Sequence, residues 1–442
     1  MRRPVSPLVV QGEGATVGAP AQRNFLRALG PGLVWAGAAV GVSHLVQSTR
    51  AGASFGLELV GLVVFANVLK YPAFSFGPRY AAATRTSLLE GYRRQGLWAL
   101  VLYGVLTVGT MFTVQAVVTV VTAAIGAALL GWHSGAALRP LVMFLTAFCA
   151  VLLYIGHYRW LDRVIKLVVP LFTLSTVAAT LLVIPQVDWT TIRLFPGTGM
   201  LSDPASLLFI VALVGWMPSA FDVSIWHSLW TVARCRQTRY EPTVGEALLD
   251  FNIGYVGTAL LALCFVVLGA GVMYRSGTQF PASAPEFASQ VVALYVATLG
   301  AWSKPLIGLA AFAVMFSTTL TVIDGFPRAL ATLVARFNEP EDPDRASPIS
   351  QSAYWVALAL LGLGSIGIGG FLSGSLVALV DLATTLSFLT APFLAWLNHQ
   401  AILASEVPAE HRPGRAMVAY SWAGIAFSAA FACYFLWVRW GG

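Results

Sequence analysis

Apolar residues run along this chain in long blocks separated by short polar stretches. A helix needs about 20 mostly apolar residues to cross a bilayer. Eleven blocks qualify, at roughly 31–54, 57–78, 97–130, 139–156, 164–185, 205–231, 245–274, 298–334, 352–370, 374–398 and 415–438. The third and eighth are long for one span, which predicts tilt or extension past the bilayer. No polar segment between blocks is long enough for a soluble catalytic domain, so an enzyme is not expected. Residues 1–28 carry Arg2, Arg3, Gly12, Gly14 and Pro20 without a long apolar core, and read as a flexible cytoplasmic tail rather than a signal peptide. Residues 29–442 then form a single transmembrane domain.

Composition narrows the class. Of 442 residues, 57% are hydrophobic and 10% charged, against roughly a quarter charged in soluble domains. Too little polar surface remains for a soluble enzyme, a disordered chain or a secreted disulfide scaffold. A net charge of +7 raises nucleic acid as a partner, but the basic residues sit in short loops, where they set membrane topology instead. The expected partners are the bilayer and a transported ion or solute, with no nucleic acid. Assigned alternately, one set of loops holds 18 basic residues, among them Arg79, Arg85, Arg93, Arg94, Arg234 and Arg236, while the other holds four, Arg139, Arg193, Arg275 and Arg439. The basic excess predicts a cytoplasmic N-terminus, an outer C-terminus and, in a prokaryote, the inner membrane. Cys149, Cys235, Cys264 and Cys433 are far apart, with neither metal-ligand nor disulfide spacing. No cofactor is expected. Gly362-Leu363-Gly364-Ser365-Ile366-Gly367 spells a dinucleotide fingerprint, but it lies in an apolar span with no strand before it, so the letters carry no mechanism.

Two spans are interrupted. The first contains Gly37-Ala38-Ala39-Val40-Gly41-Val42-Ser43-His44, and the sixth Gly215-Trp216-Met217-Pro218-Ser219-Ala220-Phe221-Asp222. Proline removes a backbone donor, and glycine lets the chain leave helical geometry at low cost. Spans 1 and 6 are matching members of two five-span halves, the arrangement that marks a midplane transport site; ordinary packing glycines and a proline kink are the alternative. Asp222 is the leading ligand or proton carrier, because a mid-bilayer carboxylate is costly; capping the second half-helix is its structural alternative. Met217 offers a thioether or mere filling, His44 a ligand, a proton acceptor or a packing residue, and His227 a proton relay or a structural bond. Trp216, Phe221 and Trp226 offer aromatic contact. Asp250 lies in span 7 and Asp381 in span 10. Asp324 and Arg328, at i and i+4, suit a structural ion pair. Ser317-Thr318-Thr319 and Thr384-Thr385 suit interhelical hydrogen bonds or a cavity lining.

These residues resemble the Nramp (natural resistance-associated macrophage protein) divalent-metal transporters. Gly30-Pro31-Gly32 opens span 1 and Arg50-Ala51-Gly52-Ala53-Ser54-Phe55-Gly56 closes it; Gly215-Trp216-Met217-Pro218 and His227-Ser228 lie in span 6, and Ser317-Thr318-Thr319-Leu320-Thr321 in span 8. The resemblance covers nearly the whole chain. It implies an all-α membrane protein of 11 transmembrane helices with a LeuT-like fold. That fold has two inverted five-helix repeats (spans 1–5 and 6–10), one extra helix, broken helices 1 and 6, and alternating access around a site between them. The departures are informative. Where the family carries Asp-Pro-Gly-Asn, this chain reads Gly41-Val42-Ser43-His44, so the span 1 carboxylate is gone. Met217 keeps the span 6 methionine, Asp222 is an added acid, and the acidic residue of span 3 and the arginine of span 9 have no counterpart. The span 10 glutamine falls near Thr384.

The candidate substrate site is therefore Gly41, Ser43 and His44, with Trp216, Met217, Ser219, Asp222 and Thr384. Asp222, Met217 and His44 are the candidate metal ligands, and Asp222, His44, His227 and Asp250 the candidates for proton coupling. Two cargoes stay open: a divalent metal as in the family, held by a rebuilt ligand set, with or without proton symport; or a small cationic or zwitterionic organic solute paired to Asp222.

Overall fold

A computed structural model of the chain describes residues 30–132, 137–155, 158–274, 276, 283–342, 350–372 and 375–440. The expected tail over residues 1–28 lies outside them. Among the described residues the regular structure is helical. The first apolar run becomes α1 (Pro31–Ala39), a π-helical turn (Ser43–Ser48) and α2 (Thr49–Phe55). Next come α3 (Val60–Thr84), a short α4 (Leu88–Gln95), α5 (Leu97–Leu129), α6 (Leu138–Ile155) and α7 (Tyr158–Val183). The second half opens with a one-turn α8 (Thr198–Ser202), followed by α9 (Pro204–Trp216), α10 (Asp222–Thr238) and α11 (Val244–Leu268), which runs on as a π-helical turn (Gly269–Tyr274). Then follow α12 (Ala284–Leu299), α13 (Lys304–Asn338), α14 (Gln351–Leu372), α15 (Leu376–Leu403) and α16 (Arg415–Trp440).

Eight of the described helices are long and apolar enough to cross a membrane. The other predicted runs are the two interrupted ones and α7. With 33 residues, α5 is about 50 Å long, well beyond a hydrocarbon core of about 30 Å. The eighth run differs from its sequence reading: it is not continuous from residue 298. Helix α12 ends at Leu299, Gly300 turns the chain at φ 94°, and α13 starts at Lys304. That turn needs a left-handed backbone, which glycine adopts at little cost.

Local chemistry fixes the helix starts. Pro31 and Pro204 occupy first-turn positions, where the missing N–H costs nothing. The Asp203 carboxylate accepts from Ser206 N at 2.8 Å, and Thr243 with Glu246 forms a reciprocal capping box. Packing shows the repeat. Helix α2 lies on α11, α10 lies on α3, and α5 packs along α13. Exchanging the halves converts the first contact into the second and leaves the third unchanged. Small residues permit the closest approaches, as expected where lipid supplies no hydrophobic drive between helices. A Cβ on Gly52 would sit 2.0 Å from Val266 O, and one on Gly269 2.4 Å from Thr49 O. The outer surface is apolar: Leu249, Ile253, Val256 and Leu260 form an exposed stripe along α11, a face suited to lipid tails. Gly364, from the rejected fingerprint, lies against Phe112, where a Cβ would stand 2.4 Å from the ring. Its role is helix packing.

The basic loops converge on one face. There Glu90 bonds Arg93 at 2.8 Å and Arg94 at 3.0 Å, with Arg336 at 3.9 Å. Glu341 receives Ser87 N and Oγ at 2.9 and 2.7 Å and pairs with Arg236 at 3.5 Å. Arg85 pairs with Glu241 beside them. On the opposite face Glu58 meets Arg193 at 3.7 Å.

Candidate functional site at the two helix breaks

The helix break of the first span lies at Val40–Val42, between α1 and the π-helical turn. Its freed carbonyls are not left bare. Thr318 Oγ1 on α13 is 2.8 Å from Gly37 O and 3.2 Å from Val40 O. Gly41 makes room for this contact, since a Cβ there would lie 2.8 Å from Thr318 Cγ2. The break of the sixth span covers Met217–Phe221, with a cis Met217–Pro218 peptide bond. The carbonyls just before it are held by a side chain: Lys70 Nζ, from the middle of α3, donates to Val214 O and, at 3.0 Å, to Gly215 O. These belong to the last four carbonyls of α9, which lack the regular helical donor; Val214 O also receives Met217 N at 3.4 Å. Gly215 also lets α15 approach, as a Cβ would stand 2.5 Å from Thr384 O.

The breaks touch each other through Ser43. Its hydroxyl is 2.8 Å from Ala39 O, 3.3 Å from Pro218 O and 2.8 Å from His44 Nδ1. His44 Nε2 faces Thr258 O at 2.9 Å. A carbonyl only accepts, so Nε2 carries the proton and, in the neutral ring, Nδ1 accepts from Ser43. Both nitrogens of His44 are thereby engaged. Ser48 Oγ lies 3.2 Å from Ser43 O and 3.8 Å from Met217 Sδ, the latter a second link across the gap.

Asp222 is the first residue of α10 and is 1% exposed. Its Oδ1 receives a long bond from Thr107 Oγ1 on α5 at 3.4 Å, and its Oδ2 meets no protein donor. A buried carboxylate oxygen without a donor is expensive, and this one lies where the chain is unwound. Phe221 precedes it, with Lys70 Nζ 5.2 Å from the ring centroid and Phe74 stacked at 4.9 Å. Trp35 extends this wall towards Phe251 and Tyr255. Trp216 is buried with its indole N–H unpartnered.

Other candidates lie elsewhere. Asp250 caps the first span on the basic face, accepting from Gly32 N at 2.6 Å and Gly30 N at 3.3 Å. His227 is fully buried further along α10, against Phe251, with neither ring nitrogen bonded. Trp226 packs edge-on against Phe326, away from the break. Ser219 is buried within the unwound stretch. Thr384 Oγ1 donates locally to Val380 O at 2.7 Å and lies 3.5 Å from Gln47 Nε2. Asp324 and Arg328 form a two-bond pair at 2.8 and 2.9 Å, joined by Tyr354. Towards the opposite face, Arg50 pairs with Asp381 at 2.7 Å while stacking 4.5 Å over Phe209. Among the described residues no three His, Cys, Asp or Glu side chains come together as a metal site would require.

Sequence reasoning passed over Lys70, Thr107, Thr258 and the Arg50–Asp381 pair. The signal for Lys70 was present, as a lone charge amid an apolar run is a functional candidate by default. Its partners are main-chain carbonyls, which no side-chain pattern reveals.

The chain matches the family described as "Natural resistance-associated macrophage protein-like" over residues 32–438. It is 32% identical over 412 residues to the Pasteurella multocida (strain Pm70) protein PM0681, covering 92% of each chain. Among solved structures it is similar to the Eremococcus coleocola manganese transporter bound to an aromatic bis-isothiourea substituted compound (TM-score 0.69, 15% identity, 96% of this chain and 88% of that one). It is also similar to MhsT in complex with L-phenylalanine (TM-score 0.61, 13% identity, 96% and 99%), and to Mhp1 with bromovinylhydantoin (TM-score 0.55, 14% identity, 93% and 92%). At these identities the structures speak for the fold, which is LeuT-like, while the match over nearly the full sequence places this membrane transporter in the Nramp family.

Proposed function

We propose that this chain is a secondary transporter working by alternating access, whose cargo is a small organic solute bearing a protonated amine, cationic or zwitterionic, rather than a bare divalent metal. The observation that carries this reading is the Asp222 carboxylate, buried at the sixth break with one oxygen unpartnered. The other donors a metal would need are already spent. The Val214 and Gly215 carbonyls hold Lys70, and both His44 nitrogens are bonded. A hard dication asks for six or more oxygen ligands, and one carboxylate with a thioether is far short of that. A single ammonium group needs one carboxylate, and the N-terminus of α10 favours a carboxylate on the same solute. Phe221 and Trp216 supply apolar contact. The excess of arginine in the loops of the basic face supports reading that face as cytoplasmic.

In proteoliposomes, the protein is expected to give no saturable uptake of Mn²⁺, Mg²⁺ or Ca²⁺, with or without a proton gradient. A panel of amines and amino acids is expected to raise its melting temperature, and Asp222→Asn is expected to abolish that shift while leaving the melting transition intact. Mn²⁺ uptake that disappears in Asp222→Asn would return the site to the metal reading.

A further inference from the structure

Lys70 is 2% exposed, and among the described residues no carboxylate pairs with it. A buried ammonium without a counter-ion is ordinarily untenable. What surrounds this one is the carbonyl end of α9: Val214 O and Gly215 O accept from it, and the Phe221 ring covers a further side. A helix C-terminus carries about half a negative charge, and an aromatic face adds attraction for a cation. Oxygen atoms converging at a broken membrane helix, beside a ring and in the field of a helix end, constitute a cation site. In this chain the cation is part of the protein.

We propose that Lys70 is a tethered cation, its ammonium filling the carbonyl site at the sixth-span break so that the transporter needs no mobile ion there. Lys70 thereby determines specificity, because it denies these carbonyls to a metal or sodium ion and ties α9 to α3 through a bond that cannot dissociate into solvent. The proposal does not depend on the cargo assigned to Asp222, and its test reads stability of the empty protein rather than transport.

Lys70→Ala removes a propylammonium-sized piece of side chain and leaves a hole of that shape above the carbonyls. The purified variant is expected to melt at least about 3 °C below the parent protein. Millimolar propylammonium is expected to restore at least half of that loss, saturably, with no effect on the parent. Neutral 1-butanol, nearly the same size, is the control for filling space. Equal recovery with butanol, or none with propylammonium, would overturn the proposal. Lys70→Gln keeps a donor without the charge and covers the case in which the alanine variant does not fold. At constant ionic strength its melting temperature is expected to rise when choline is replaced by Na⁺ or Mn²⁺, while the parent's does not. Indifference of Lys70→Gln to every cation would equally refute the idea.

Discussion

Arg50 and Asp381 join α2 to α15 through a charged bond at 2.7 Å, with Phe209 beneath the guanidinium. The residues are largely shielded, so the contact outweighs an exposed pair. Asp381→Asn is expected to cost about 2 kcal/mol. A double-mutant cycle with Arg50→Gln, read by chemical denaturation in detergent, is expected to show that the two changes are not additive. Additive effects would mean the pair contributes no coupling. At this scale acids were more legible than their partners. Asp222, Asp324 and Asp381 stood out because carboxylates are rare in apolar runs. What satisfies or fails to satisfy them depends on Thr107, Tyr354 and Arg50, which lie 115, 30 and 331 residues away. His44 was legible as a polar residue at a break, but not as one whose ring is consumed by Ser43 and Thr258.

Elements were more legible than residues, since a helix break is written locally in glycine and proline. The first break sits inside the predicted Gly37–His44 stretch, and α10 begins at Asp222, where the second half-helix was expected. Helix α4 was missed because it is amphipathic and lies between spans, and α12 because its 16 residues fall short of the length of a span. The glycines of α11 separate two roles that look identical in sequence. Gly269, just beyond its end, presses on the main chain of α2, whereas a Cβ on Gly257 would meet nothing within 4 Å. Gly269→Ala is expected to destabilise by about 3 kcal/mol or more, because backbone cannot give way as a side chain can. Gly257→Ala is expected to be neutral or to stabilise by up to about 1 kcal/mol through helix propensity. Monodispersity on size exclusion and the melting temperature distinguish them; similar behaviour would contradict the close contact.

The molecule as a whole is drawn together on its basic face by Glu90, which lies in the connection between spans. Burial pushes its carboxyl group up, but the Arg93 guanidinium, the Glu341 N–H and Arg94 together outweigh burial and hold it below its ordinary value of 4.5. A lowered folded-state value means the unfolded chain binds more protons in that window, so stability rises with pH across it. The contribution is complete above 4.5 and is lost as pH falls through the lower folded value. A melting series from pH 7 to pH 3.5 is expected to show this decline in the parent protein. Glu90→Gln should start lower and decline less, and parallel curves would exclude Glu90 as the cause. The two-half architecture could be read from matching breaks in spans 1 and 6, but this network could not, because its members come from three separate connections.

The two breaks are mended crosswise. Thr318, from the second half, closes the open main chain of the first, and Lys70, from the first half, closes that of the second. Each repeat thus carries the patch for the other's wound, as with two hands clasped at the wrist. Whatever rocking admits the cargo, the halves cannot drift apart without baring peptide groups to hydrocarbon. Under the proposed alternating access, the stroke is limited to rotations that keep both grips closed.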